Sequence, residues 1–317
     1  MNRIRTFLFL LLFPLLSQAQ TLTNGSSNLM INGIRHWVKV GGAEHKTTPL
    51  VVLHGGPGGN HYVFERTAGA ELEKFMTVIY YEQRGSGRSA AEPDGIYTVP
   101  LMVNDLEALR KHFKLEHIIP MGYSFGASLA LEYTLAYPQN VKGLILESFA
   151  TLQDSAVLLS QMANFYFQAR EHSRPKMDSI LAGNSTLNEK YSSFWNMAKR
   201  EDVMRFLFHD QNNARKVFDL WAESKIGNSG LVMKSLMKEH RKINLFDDAK
   251  KVTAPTLLLA GVYDRNGALP ATLRLKEEIK DSDIRIFLES AHFPDFEETG
   301  SFVETIRGWL KERDLIK

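Results

Sequence analysis

The sequence feature that most constrains the fold is the motif G-Y-S-F-G at residues 122–126. It follows a largely apolar run at residues 117–121 and precedes a stretch, residues 127–135, with apolar residues at helical spacing. This pattern predicts a buried strand, a sharp turn and a helix, with Ser124 at the apex as in a nucleophile elbow. The flanking glycines let strand and helix pass close together. An ordinary tight turn is the alternative interpretation of the motif by itself.

The composition allows the chain to bury a large core. Of its 317 residues, 44% are hydrophobic and 23% are charged, which argues against global disorder and suits one large domain or a domain with an insert. Short apolar runs typical of buried strands alternate with segments of helical periodicity, which predicts a doubly wound, mostly parallel α/β sheet. The runs lie at residues 49–53, 77–81, 117–121, 141–146, 255–260 and 284–288, after a loosely alternating edge region at 29–40.

The middle of the chain, residues 151–247, interrupts this alternation. It is helical in character, contains no clear strand and is rich in Phe, Met and Trp, and the strand pattern resumes after it. We therefore predict a helical cap inserted after the sixth strand, over the edge of the sheet, with the α/β core formed by residues 20–150 and 248–317. Additional helices of the core itself are the alternative.

The first nineteen residues have the form of a secretory signal peptide. Arg3 and Arg5 give a basic start, residues 7–16 form an apolar stretch too short for a comfortable transmembrane helix, and small residues precede a cleavage point after Ala19. We expect a secreted or periplasmic protein with no stable membrane anchor once residues 1–19 are removed. An uncleaved anchor is the alternative.

Charge and cysteine usage exclude several classes of partner and site. The chain has 38 basic and 36 acidic residues, and removal of the predicted signal takes away Arg3 and Arg5, which leaves 36 of each. A net charge of zero gives no basic bias toward nucleic acid or anionic membrane. The sequence contains no cysteine, which excludes disulfides, thiolate zinc sites and a cysteine nucleophile.

A serine nucleophile needs a base, and the base needs an orienting acid. Asp264 and His292 each follow an apolar run, so the order is nucleophile, acid, histidine. We expect these three side chains to meet at the carboxyl edge of the sheet. Glu147 ends the preceding strand and is an alternative acid, but glycine and Asn-Gly frame a sharp loop around Asp264. Other serines, Ser86 and Ser229, are weaker candidates for the nucleophile.

Acyl transfer also requires donors for the developing oxyanion. We expect the backbone N–H of Phe125 and that of Gly56, which lies in the glycine-rich run H-G-G-P-G-G at residues 54–59. A phosphate-binding loop is the competing interpretation, but the run lacks both G-K-[ST] and G-x-G-x-x-G. His54 and His61 are interpreted as loop-ordering groups. No H-E-x-x-H and no tight His/Asp cluster is present, so we expect neither metal nor cofactor.

Three motifs together resemble a known family. The runs H-G-G-P-G-G at 54–59, E-Q-R-G-S-G-R-S at 82–89 and G-Y-S-F-G at 122–126 are similar to those of the proline iminopeptidases of the α/β-hydrolase superfamily. The resemblance implies the α/β-hydrolase fold, a triad of Ser124, Asp264 and His292, an oxyanion hole from Gly56 and Phe125, and a helical cap that sets specificity. Two departures are Glu82, where the family usually has Asp, and Phe125, where it often has Trp.

The resemblance also implies a substrate class. Family peptidases hold the substrate's free amino group with cap carboxylates, for which Glu223 and Glu201 are candidates, with Trp221 nearby; solvated surface positions are the alternative for both glutamates. We predict a secreted serine aminopeptidase that releases N-terminal proline or another small residue from short peptides through an acyl-enzyme on Ser124. A carboxylesterase or lactonase acting on a small acyl substrate with the same triad is the alternative, and a catalytically silent binding fold is a third possibility. No oligomeric state is predicted.

Overall fold

The computed structural model describes residues 22–317 except positions 93, 153, 228, 229, 240 and 242. The predicted signal peptide, residues 1–19, and the weaker serine candidate Ser229 therefore lie outside the described residues. Both stay predictions.

The described residues contain one eight-stranded sheet with the order β1-β2-β4-β3-β5-β6-β7-β8. β1 and β2 form an antiparallel hairpin at one edge, β2 pairs antiparallel with β4, and all other neighbouring pairs are parallel. This topology confirms the doubly wound, mostly parallel prediction. The strands are β1 (Gly25–Ile31), β2 (Ile34–Gly41), β3 (Leu50–Leu53), β4 (Val78–Tyr81), β5 (Ile119–Tyr123), β6 (Leu144–Glu147), β7 (Thr256–Gly261) and β8 (Ser282–Phe287).

Helices connect the strands and cover the sheet. Every residue of β3 to β7 is buried, as expected of continuous apolar strands that are covered on both faces. The α-helices of the described residues are α1 (Tyr62–Arg66), α2 (Ala68–Leu72), α3 (Val99–His112), α4 (Phe125–Ala136), α5 (Ser155–Gln168), α6 (Arg174–Ala182), α7 (Leu187–Met197), α8 (Arg200–Leu207), α9 (Gln211–Ser224), α10 (Leu231–Leu236), α11 (Leu245–Ala249), α12 (Ala268–Glu278), α13 (Pro294–Glu297) and α14 (Thr299–Glu312).

Two apolar clusters hold the sheet between its helical layers. Alternate strand residues point to opposite faces, so Leu53 and Ile79 pack with α3, α4 and α12, whereas Val52 and Tyr80 pack with α2 and α14. None of these four side chains is more than 1% exposed. The two-sided core fixes the carboxyl ends of the parallel strands along one edge, where ligands of open α/β sheets bind.

Among the described residues, seven α-helices, α5 to α11, lie between β6 and β7, which confirms a helical insertion after the sixth strand. The insertion has an apolar cluster of its own, which includes Phe165, Phe194 and Phe206. A second cluster joins Phe208 of the insertion to Val63 of α1, so the insertion is also packed against the core. Among the described residues, none of the helices has the length and apolar character needed to cross a membrane.

Candidate active site

Ser124 occupies a strained turn between β5 and α4. It is the N-cap of α4 with φ 56° and ψ −126°, a backbone conformation that residues other than glycine rarely adopt. Close packing excludes side chains on either side, because a Cβ at Gly122 would lie 2.0 Å from the Gly126 carbonyl oxygen, and one at Gly126 would lie 2.0 Å from the Leu53 carbonyl oxygen. The turn is therefore tight enough to hold the serine hydroxyl at the carboxyl edge of the sheet.

His292 pairs with Asp264 at the same edge. The His292 Nδ1 atom lies 2.9 Å from Asp264 Oδ2, and both residues are buried. Asp264 follows β7 and His292 follows β8, the neighbouring strand. Their loops are in close backbone contact, since a Cβ at Gly261 would lie 2.1 Å from the Ala291 carbonyl oxygen. Ser124 and His292 line one cavity, and Asp264 is paired with His292.

Glu147, the alternative acid, has other partners. Its Oε1 accepts a hydrogen bond from the Asp295 N–H at 3.2 Å, and its backbone oxygen accepts from the Ser124 N–H at 3.0 Å. Burial raises the pKa of Asp295 to about 6, and burial together with the Asp295 charge raises the pKa of Glu147 well above its usual range. Two buried carboxyl groups this close cannot both ionise easily, so the pair retains a proton near neutral pH.

The cavity above Ser124 has a volume of about 610 Å³. Its walls are mainly aromatic and aliphatic, and among the described residues that line it Asp295 contributes the carboxylate. Nothing in the sequence around Asp295 distinguishes it from a surface acid, so sequence reasoning missed it. The aromatic lining residues are Phe64, Tyr123, Tyr191, Trp195, Trp221, Phe293 and Phe296.

The glycine-rich run at 54–59 passes directly over the serine. A Cβ at Gly55 would lie 2.9 Å from the Ser124 Cβ, and Gly56 has φ 128°, which favours glycine. Gly56 lines the cavity, and Phe125 is the first residue of α4, where a backbone N–H has no intrahelical acceptor. Both predicted oxyanion donors therefore belong to backbone segments beside Ser124.

Buried histidines brace this loop. His54 Nδ1 donates to the Gly55 carbonyl oxygen at 2.8 Å, and Nε2 accepts from the Gln83 N–H at 3.3 Å, which requires a neutral ring. Burial lowers the pKa of His54 to about 3, so the ring stays neutral in the physiological range. His61 lies between Glu65 and Glu82, with nitrogen–oxygen distances of 3.5 and 3.4 Å.

The three predicted cap residues are placed differently. Trp221 lines the cavity, whereas Glu223 and Glu201 are exposed and are not among its lining residues. Glu223 accepts a hydrogen bond from the Tyr62 hydroxyl at 3.1 Å. A role for either glutamate in binding a substrate amine stays a prediction.

Glu297 connects the insertion to the loop that carries His292. Its Oε1 accepts hydrogen bonds from the backbone N–H groups of His209 and Asp210 at 2.9 Å, and its Oε2 accepts from the Ala291 N–H at 2.7 Å. Ala291 immediately precedes His292. Burial raises the pKa of Glu297 from 4.5 to about 7 despite these donors.

This pKa predicts a pH-dependent contribution to stability. Between pH 4.5 and 7 the folded protein holds the Glu297 proton more tightly than the unfolded chain does, so this stabilisation is lost as the pH rises through 7. The variant Glu297→Gln has no carboxyl group to titrate at this position. When the pH is raised from 5 to 8, we expect the melting temperature of the wild-type protein to fall relative to that of this variant. Thermal unfolding of both proteins across this range measures the difference, and a constant difference would contradict the prediction.

Among the described residues, no group of three or more His, Asp or Glu side chains is arranged to hold a metal ion.

Comparisons with known proteins agree with this fold. Residues 48–299 match the family model described as alpha/beta hydrolase fold. The chain is 27% identical over 291 residues to a proline iminopeptidase of Saccharolobus solfataricus, an alignment that covers 89% of this chain and 91% of that protein. A proline iminopeptidase-related protein of Thermus thermophilus superposes with a TM-score of 0.74 at 22% identity, covering 92% of this chain and 98% of the other. The proline iminopeptidase of Mycobacterium smegmatis superposes with a TM-score of 0.70 at 22% identity, covering 92% of this chain and 99% of the other.

Proposed function

The chain belongs to the alpha/beta hydrolase fold family, and on this premise we propose that it is a serine hydrolase that releases an N-terminal proline or another small residue from short peptides. The observation that carries the proposal is that His292, which pairs with Asp264, lines the same cavity as Ser124 on its strained turn. The names of its relatives, proline iminopeptidases at about a quarter identity, support the aminopeptidase assignment.

In the proposed reaction the Ser124 hydroxyl oxygen attacks the carbonyl carbon of the scissile amide. His292 accepts the hydroxyl proton at Nε2 and then donates it to the leaving amine, while Asp264 holds the Nδ1–H. The backbone N–H groups of Gly56 and Phe125 stabilise the oxyanion. In the second half of the reaction His292 takes a proton from water, whose oxygen attacks the carbonyl carbon of the acyl-enzyme. The bond to the Ser124 oxygen then breaks, His292 returns the proton to this oxygen, and the free amino acid is released.

The cavity suits a substrate that is apolar with one cationic group. Its lining is mainly aromatic and aliphatic, and Asp295, in its proton-sharing pair with Glu147, places negative charge at the wall. A free α-amino group would be favoured in such a cavity over a blocked neutral one, because the opposite charge offsets part of its desolvation.

A carboxylesterase or lactonase is the second candidate. The volume of about 610 Å³ lies within the range of pockets that hold drug-sized ligands and exceeds what a single prolyl ring requires. In addition, Glu223 and Glu201 are not among the residues that line the cavity. Both observations favour a bulkier, neutral acyl group.

A substrate panel separates the two candidates. We expect hydrolysis of a fluorogenic prolyl amide with a free amino group, and a loss of at least tenfold when the amine is acetylated, the effect of about one charge-assisted hydrogen bond. Initial rates with both amides and with short p-nitrophenyl esters measure this preference, and Ser124→Ala is the control for contaminating enzymes. Turnover of the esters alone would move the protein to the esterase or lactonase class.

The same panel tests the predicted cap ligands. If the free-amine preference is lost in the double variant Glu223→Gln, Glu201→Gln, the cap carboxylates hold the amine. If the preference is unchanged, these two side chains are excluded from the amine site.

A further inference from the structure

The Asn266 side chain contacts the nitrogen that the proposed mechanism needs as its base. Its Nδ2 lies 3.1 Å from His292 Nε2, and both residues are buried and line the cavity. Among the hydrogen bonds of the described residues, Asn266 is the partner of this nitrogen, and none joins it to Ser124.

The proton positions at this contact follow from the opposite side of the ring. Asp264 Oδ2 can only accept, so the proton of neutral His292 is on Nδ1, 2.9 Å away. Nε2 then carries the lone pair, and Asn266 must present its N–H group to it. A lone pair that accepts from an amide is not free to accept the proton of the Ser124 hydroxyl.

We propose that Asn266 is a positioning residue that caps His292 Nε2 in the free enzyme and releases it when substrate binds. This inference rests on the proposed serine-hydrolase function. Release breaks only one hydrogen bond of the side chain, because Asn266 Oδ1 is buried without a hydrogen-bond partner among the described residues.

A chain of hydrogen bonds connects Asn266 to the cavity wall. The Tyr191 hydroxyl donates to Gln161 Oε1 at 2.7 Å, and Gln161 Nε2 donates to the Asn266 backbone oxygen at 3.1 Å. Tyr191 lines the cavity, so a substrate that displaces this ring would shift the loop of Asn266 through these two hydrogen bonds. The insertion therefore offers a physical route from substrate binding to release of the base.

The variant Asn266→Leu tests the inference, since leucine branches at Cγ as asparagine does and has no donor. We expect phosphonylation of Ser124 by a small fluorophosphonate to be about three- to tenfold faster than in wild type, the factor for one ordinary hydrogen bond. We also expect the acid limb of the rate–pH profile to move up by roughly half to one pH unit, because the amide stabilises only the unprotonated ring. The other titratable groups around the ring, Asp264, Asp295 with Glu147, and Glu297, are the same in both proteins.

Matched variants separate capping from loop stability. Asn164→Ala removes a 2.9 Å hydrogen bond to the Arg265 carbonyl oxygen in the same loop without touching His292, and should neither accelerate labelling nor move the profile. Asn266→Ala, with melting temperatures of all variants, provides a second test if leucine disturbs the fold. Labelling that is slower or unchanged, with an unmoved profile, would overturn the inference.

A measurement that does not depend on turnover distinguishes failure of the Asn266 proposal from failure of the proposed serine-hydrolase function. In protein labelled with ¹⁵N-histidine, the unprotonated ring nitrogen of His292, assigned with His292→Gln, should move downfield in Asn266→Leu when it loses its donor. If wild type is not labelled at Ser124 but this resonance moves, the proposed function fails and the capping contact stands. An unmoved resonance would exclude the cap.

Discussion

Replacing Ser124 with alanine is expected to lower turnover by roughly 10⁴- to 10⁶-fold while leaving the fold intact. The hydroxyl is the group that forms the acyl-enzyme, so oxyanion donors and substrate binding alone would account for the remaining rate. Alanine keeps the Cβ of serine at φ 56°, so the strain of the turn is unchanged and the melting temperature should stay close to wild type.

The matched control for this variant is Ser86→Ala. Ser86 is the other described serine that sequence analysis considered as a nucleophile, and it is also buried, with its hydroxyl 3.4 Å from the Arg84 carbonyl oxygen. Steady-state rates should remain within severalfold of wild type. If Ser86→Ala loses activity as Ser124→Ala does, with both proteins folded, the assignment of the nucleophile is wrong.

Asp264→Asn is expected to lower turnover by about 10⁴-fold, because the amide leaves His292 in the wrong tautomer and no longer stabilises the imidazolium. Glu147→Gln should change turnover by less than about tenfold, since Glu147 bonds to the Asp295 N–H and the His292 ring pairs with Asp264. Steady-state kinetics of the two variants, with melting temperatures to verify folding, measure this contrast.

The pair of variants decides between the two acids that sequence analysis left open. A large loss in Glu147→Gln together with a small loss in Asp264→Asn would transfer the orienting role to Glu147. Large losses in both would mean that the Glu147–Asp295 pair acts on His292 electrostatically as well.

Much of the fold could be predicted because its signals are local. Continuous apolar runs indicated β3 to β7, since strands covered on both faces need apolar side chains at every position. The glycines at 122 and 126 indicated the turn at Ser124, because only glycine permits the close backbone approach found there. The helical insertion after the sixth strand followed from the interruption of the strand pattern.

The candidate site was only partly predictable. Sequence order placed Asp264 and His292 after successive strands, and the glycine and Asn-Gly around Asp264 favoured it over Glu147, which also ends a strand. Local sequence does not show which of the two carboxylates contacts the histidine. The close contact of the loops after β7 and β8, at Gly261 and Ala291, gives His292 its partner.

The sequence by itself determined where strands, the serine turn and the insertion occur, because periodicity and glycine placement act over a few residues. Only the tertiary structure decided which polar side chains meet. It turned Glu223 and Glu201 toward solvent, placed Asp295 on the cavity wall and brought Asn266 to His292. Helical periodicity indicates which face of a helix is apolar, whereas the partners of polar groups depend on how distant loops pack together.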